Sequence, residues 1–91
     1  MNEYIYEMEI SIYFDDNSVD INVQRKTVEV CRDMIDVLRS ELNGIIIDTV
    51  EKFKKQSGDY RVYAEYTENG ELIDVDDFSC YVNVEDRIIM Y

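Results

Sequence analysis

Residues 27–57, TVEVCRDMIDVLRSELNGIIIDTVEKFKKQS, are the only stretch of this chain with a sustained helical period. Side chains suited to a core recur there at steps of three and four residues: Cys31, Ile35, Leu38, Leu42, Ile45, Ile46, Thr49 and Phe53. This spacing places them in one stripe along a helix. The stripe keeps its phase across Asn43-Gly44, so we favour one continuous helix over 27–57 rather than two helices.

The ends and the outer side of this helix also carry expectations. Thr27 is expected to cap the first turn through its hydroxyl, and Gly58 is expected to end the helix. Ile47 falls on the far side of the helix from the stripe, where we interpret it as a contact for a dimer or partner.

Before the helix, residues 3–24 alternate apolar and polar side chains and are expected to form a hairpin. The inward side of its first strand consists of Tyr4, Tyr6, Met8, Ile10, Ile12 and Phe14. Asp15 to Ser18 have the composition of a turn. Val19, Ile21 and Val23 continue the alternation on the return strand.

After the helix, residues 60–91 are expected to form antiparallel strands, the first of which alternates with Tyr60, Val62, Ala64 and Tyr66 on its inward side. Asn69-Gly70 between alternating runs is a strong hairpin signal. The return strand is expected from Leu72 to about Val75, with Ile73 and Val75 inward, and Asp76-Asp77 interrupts its pattern. The order ββαβββ, with one further strand as an alternative, predicts an α+β fold with a helix on one face of an antiparallel sheet of five to six strands.

The composition favours one globular domain, residues 1–91, with an outlying net charge of −12. Residues 1–24 contain six acids and no Lys or Arg, and residues 62–86 contain eight acids and again no base. Residues 25–61 carry seven acids against eight bases, so the helical segment is close to neutral. The sequence therefore predicts a polarised molecule whose negative charge lies on the strands.

The chain lacks the residues and motifs on which several common kinds of catalytic and metal site depend. The chain has no histidine, its two cysteines form no CxxC pair, and its three glycines are not clustered. We therefore expect no enzymatic activity, metal or cofactor. Cys31 and Cys80 are interpreted as free, buried thiols. The acidic balance disfavours direct binding to nucleic acid and to anionic membranes, and a cytoplasmic location is expected because the first residues lack a signal-peptide pattern.

What remains is the imitation of nucleic acid by carboxylates. Alternate side chains of a strand point the same way about 6.7 Å apart, so Glu7 and Glu9 form one acidic row, and Asp74 and Asp76 form another. An array of such rows would attract a basic groove. The expected phosphate substitutes are Glu65, Glu68, Glu71, Asp74, Asp76 and Asp77, with Asp15, Asp16 and Asp20 in a secondary role. Tyr13 and Tyr63 fall on the outward side and are candidate interface anchors, with cross-strand packing as the alternative.

In size, α+β pattern and acid-only stretches such as ENGELIDVDDF at residues 68–78, the chain resembles small acidic phage-encoded inhibitors of bacterial defence. These are chiefly anti-CRISPR proteins and anti-restriction DNA mimics. The resemblance implies a basic nucleic-acid-binding partner, such as a CRISPR effector or a restriction nuclease, in the cytoplasm of a bacterial host. Nuclease immunity proteins and antitoxins look similar for the same electrostatic reason. A homodimeric interaction module, paired through a sheet edge or the outer side of the helix, is the alternative of another class.

Overall fold

A computed structural model describes residues 3–28 and 33–91 and has the predicted α+β architecture. The described elements are β1 (Tyr4–Phe14), β2 (Asn17–Thr27), α1 (Met34–Phe53), β3 (Gly58–Glu68), β4 (Glu71–Asn83) and β5 (Ile88–Met90). The five strands form one antiparallel sheet in the order β2-β1-β3-β4-β5. Helix α1 packs on one face of this sheet, and no described helix is both long enough and apolar enough to span a membrane.

The core lies between α1 and the central strands, where the predicted alternation places apolar side chains. The most deeply buried side chains of the sheet include Met8, Ile10 and Ile12 of β1 and Val62, Ala64 and Tyr66 of β3. From the helix, Leu38, Ile46 and Val50 are fully buried against them. The inward sides predicted for β1 and β3 are therefore confirmed, and Cys80 of β4 is a free, buried cysteine. Cys31 lies outside the described residues.

The helix is shorter than the sequence pattern predicts, and its predicted start is wrong. Thr27 does not cap the helix, because it ends β2 and pairs with Tyr4 of β1. The first strand is long enough to give every residue up to Thr27 a pairing partner, and this ladder prevails over the local helical period. The helix begins at Met34, after Asp33, whose side chain makes no capping hydrogen bond. The part of the predicted helix over residues 29–32 lies outside the described residues.

At its other end the helix finishes before Gly58, contrary to the prediction. Lys54 is the C-cap, Lys55 takes the left-handed conformation with φ of 57°, and Gly58 begins β3. Phe53, predicted to lie in the core stripe, is 55% exposed at this helix end. The helix does run without a break through Asn43-Gly44, as expected.

The interpretation of Ile47 as a contact for a partner is also wrong, because Ile47 is only 8% exposed. The segment that carries β5 packs against this flank of the helix. Arg87 donates to Asp48, one residue after Ile47, at 2.8 Å and also to Glu51. Ile89 of β5 packs against the core. The helix is therefore buried over a wider arc than its stripe indicates.

Strand β4 differs most from its prediction. It continues without a break from Glu71 to Asn83 through Asp76-Asp77. Its register with β3 shifts between Tyr66 and Thr67, since Tyr66 pairs with Asp74 while Thr67 pairs with Leu72. The extra residue is a β-bulge, and a shift of one residue exchanges the two faces of a strand. Ile73 and Val75 are consequently exposed rather than inward.

Candidate interaction surface

The sheet has an open face, which we define as the side that α1 does not cover. Strand alternation places on it the residues between the buried positions. In the central part of the sheet these are Asp20, Asn22 and Gln24 of β2, Glu7, Glu9 and Ser11 of β1, Tyr63, Glu65 and Thr67 of β3, and Leu72, Val75 and Asp77 of β4. Tyr13 and Arg61 pair beside them, toward the β1–β2 turn.

Four carboxylates of the open face are held by neutral donors rather than by bases. Asn22 Nδ2 donates to Glu7 at 3.1 Å and to Glu9 at 3.4 Å. The Ser11 hydroxyl donates to Asp20 at 2.8 Å. The Tyr63 hydroxyl donates to Glu65 at 2.8 Å. Neutral donors orient a carboxylate and leave its charge in place, so these groups remain a source of negative potential.

Bases on the open face are few and lie away from these four carboxylates. Lys26 pairs with Glu3 at 2.8 Å, and Arg61 pairs with Asp77 at 3.2 Å. Of the other described ion pairs, Arg39–Asp36 lies within α1, and the rest join the helix or its C-cap to sheet strands and turns. None of the described bases forms an ion pair with Glu7, Glu9, Asp20 or Glu65.

Glu9 and Glu65 stand directly opposite each other on β1 and β3. Side chains in such a pair lie about 5 Å apart at Cβ, and like charges there oppose folding. Glu7 lies two residues before Glu9 on the same face, so three carboxylates occupy adjacent positions. The arrangement concentrates negative charge at neighbouring positions, where the mutual repulsion of the carboxylates opposes folding.

Tyrosine side chains border this charge. The Tyr63 hydroxyl bond to Glu65 is the largest cause of a raised pKa for that phenol, followed by burial, so Tyr63 stays a donor at neutral pH. Tyr13 is 42% exposed. Both tyrosines lie on the open face, as their alternation predicts, and Tyr63 also serves to position a carboxylate.

Asp74 and Asp76, two of the expected phosphate substitutes, face the helix instead. Arg39 of α1 donates to Asp74 at 2.5 Å and to Asp76 at 2.8 Å. Asp76 also accepts from the buried Tyr66 hydroxyl at 2.7 Å. The hydrogen bond from Arg39, followed by one from the Val75 amide, lowers the pKa of Asp74 below its usual value. The bulge turned these residues toward the helix, and the guanidinium neutralises them.

The remaining expected acids are divided between ion pairs and turns. Asp15 pairs with Lys54 at 2.7 Å, and its neighbour Asp16 is exposed in the same turn. Glu68 and Glu71 occupy opposite positions of β3 and β4, on either side of the Asn69-Gly70 turn. Both acids therefore stand at the tip of the β3–β4 hairpin, beyond the central carboxylates.

Of the eleven predicted site residues, the structure brings five onto the open face: Asp20, Glu65, Asp77, Tyr13 and Tyr63. It adds Glu7 and Glu9, which the sequence identified as an acidic row without including them in the site. Their alternation within β1 was the available signal. That Glu9 lies opposite Glu65 could not be predicted from the sequence, because it depends on how β1 pairs with β3.

Residues 3–28 and 33–91 contain no group of three or more His, Cys, Asp or Glu side chains arranged to hold a metal ion. No protein-family model, curated protein or solved structure matches this chain.

Proposed function

We propose that this protein is a non-enzymatic inhibitor that uses its open face to occupy the nucleic-acid-binding surface of another protein. The partner class is a basic defence nuclease or related effector, of the CRISPR or restriction type, in the cytoplasm of a bacterial host. The observation that carries the proposal is the group formed by Glu7, Glu9 and Glu65, whose charges no described base neutralises.

The arrangement fits a surface that evolved to bind phosphates. Such a surface presents Lys and Arg at short spacing and gains affinity by replacing the ions around nucleic acid. Strands about 4.8 Å apart, with same-face residues about 6.7 Å apart, give carboxylates a fixed two-dimensional spacing. Because neutral donors already orient the carboxylates, their side chains lose little conformational entropy when the partner binds.

The charge also explains how such a partner would be reached. A net charge of −12 on 91 residues attracts a basic surface over several ångströms and raises the association rate. Tyr13 and Tyr63 add aromatic area beside the acids, which is the composition of a binding hot spot. The half-buried Tyr63 would make its contact while still donating to Glu65.

The experiment compares two double variants of equal net charge. Glu9→Gln with Glu65→Gln removes two charges from the open face. Glu85→Gln with Asp33→Asn removes two exposed charges elsewhere. Each protein is immobilised and incubated with a bacterial lysate at low salt, and bound proteins are eluted by rising salt and identified.

A target of the open face is a nucleic-acid-binding protein that the wild type and the second variant retain and the first variant loses. Duplex DNA added to the lysate should displace it, since both occupy one surface, and its elution should occur at moderate salt. The proposal fails if both variants retain the same proteins, or if DNA does not compete for any of them.

A further inference from the structure

The outer edge of β4 is unpaired over most of its length. β5 covers β4 only at Tyr81, Val82 and Asn83, and no other described strand pairs with this edge. Residues 71–80 therefore present backbone donors and acceptors that a further strand could pair with.

One hydrogen bond shows which residues direct these groups outward. The Val75 amide donates to the Asp74 carboxylate of its own strand at 2.8 Å, from which we infer that its N–H points away from β3. In antiparallel sheets, residues that bond to one neighbour alternate with those that bond to the other. Asp77 and Ser79 therefore share the outward orientation of Val75, and Tyr81 continues the series at its pair with Met90.

Several side chains at this edge are apolar and yet exposed to solvent. Leu72 is 53% exposed, Ile73 43% and Val75 37%. An edge that combines free backbone groups with exposed apolar side chains suits the addition of an extended segment, in which main-chain bonds provide affinity and side chains provide selectivity.

The occupant of this edge could be a second copy of the chain or a cationic segment of another protein, and charge favours the cationic segment. A second copy would bring another −12 to an edge that already carries acids, so self-pairing is opposed. Glu71 is exposed, and the side chains of Asp74 and Asp77 remain 48% and 45% exposed despite their ion pairs. A cationic segment would be attracted to the same residues.

The opposite edge of the sheet is a poorer site for such a segment. β2 carries Arg25 and Lys26, which would repel a cation. Arg25 also donates to the Gln24 carbonyl at 3.0 Å, which covers a backbone acceptor of that strand. The apolar side chains of β2 point toward the core and are half-buried, so this edge offers no comparable apolar contact.

We propose that the outer edge of β4, residues 71–79, binds an extended cationic segment of the partner as an additional strand of the sheet. This inference rests on the proposed function for the identity of the partner. The added strand would lie next to Val75 and Asp77 and would extend the open face without interruption. The partner would then be held by backbone pairing at the edge and by charge on the face.

The test uses the full chain and two peptides of equal charge. One is the alternating octapeptide of four Lys-Val units, and the other has the same sequence with every backbone nitrogen methylated, which removes the N–H donors of both edges and prevents strand pairing. Amide hydrogen exchange of the protein is followed by NMR with each peptide. The unmodified peptide should slow exchange at Asp77 and Ser79 by about tenfold or more near saturation, while the methylated peptide should not.

Two variants provide a matched control. Val75→Pro removes an outward N–H, which donates to Asp74 in the free protein, and places a proline ring at the edge, so the edge is blocked without the loss of a donor directed at β3. Val75→Ala keeps that N–H. We expect Val75→Pro to weaken binding of the unmodified peptide about tenfold and Val75→Ala to retain most of it, since strand addition depends on main-chain bonds.

Three results would overturn the inference: equal protection by both peptides, protection along β2 instead of β4, or concentration-dependent protection of β4 without peptide, which would identify a second copy as the occupant. The outcome is separable from that of the proposed function. If peptide pairing protects β4 but lysate capture ignores the Glu9 and Glu65 substitutions, the edge site stands and the open-face proposal fails. If those substitutions abolish capture but the peptide does not protect β4, the open-face proposal stands and the edge site fails.

Discussion

Replacing Glu9 or Glu65 by glutamine should stabilise this protein while weakening its proposed binding. Glutamine has the shape of glutamate and keeps a carbonyl oxygen, so it can still accept from Asn22 at position 9 or from the Tyr63 hydroxyl at position 65. Each substitution therefore removes one charge of a directly opposed pair and little else.

The magnitude follows from the geometry of the pair. Cross-strand pairs contribute roughly 0.2–1 kcal/mol, and solvent reduces the repulsion because Glu9 is exposed and Glu65 half-exposed. We expect each single substitution to raise the free energy of unfolding by about 0.5 kcal/mol, which corresponds to a rise in Tm of about 2–4 °C for a domain of this size. The double variant should gain no more from this pair than either single variant, because one charge suffices to end the repulsion.

The assay is a double-mutant cycle by urea unfolding, repeated at about 0.05 M and about 0.5 M salt. Contributions from other neighbours cancel in the cycle, and higher salt should shrink the coupling because the Debye length falls well below 10 Å. Glu85→Gln, in the β4–β5 turn, is the control for a general change in net charge. Additive single effects, or a coupling that salt does not change, would refute the idea that these two charges repel in the folded protein.

Two further predictions concern stability. Gly44→Ala and Gly70→Ala should change the free energy of unfolding in opposite directions, although an added Cβ meets no atom of a neighbouring residue within 4 Å at either position. Gly44 lies in the middle of α1, so alanine there should raise this free energy by about 0.5–1 kcal/mol. Gly70 has φ of +83°, so alanine there should lower it by about 1 kcal/mol. Thermal unfolding of the pair checks this, and equal signs would contradict it. Asp74→Asn should destabilise the protein at pH 7 and have no such effect well below pH 3, because Arg39 lowers the folded-state pKa of Asp74. The ion pair therefore stabilises the protein above the ordinary Asp pKa of 3.8, and this stabilisation is lost as the pH falls through the lower pKa of the folded state. Urea unfolding of the variant and the wild type at both pH values measures the effect, with Asp16→Asn as the exposed control. A loss of stability that is the same at both pH values would argue against this linkage.

Local sequence was sufficient for most of the fold. Alternation within β1 and β3 identified the buried sides of both strands, because a strand's side chains follow a period of two whatever its neighbours are. Asn69-Gly70 identified its hairpin because both residues take positive φ there, 50° and 83°, as a tight two-residue turn requires. The stripe from Leu38 to Thr49 identified the helix and its continuity through Gly44.

Pairing between strands decided what the local pattern could not. The helix begins at Met34 and not at Thr27, which belongs to the β1–β2 ladder instead. Strand β4 alternates in sequence, yet the bulge opposite Tyr66 and Thr67 reversed its faces. Nothing in the local composition of ELIDVDDF indicates where a bulge lies, since its position is a property of two strands together.

The sequence by itself determined that the chain is an acidic α+β protein whose charge lies on its strands, because composition and periodicity are local properties. Only the tertiary structure decided which acids are free: it placed Arg39 over Asp74 and Asp76, and it set Glu9 opposite Glu65. The potential of a carboxylate depends on the charges within a few ångströms of it, and residues far apart in the chain supply those charges.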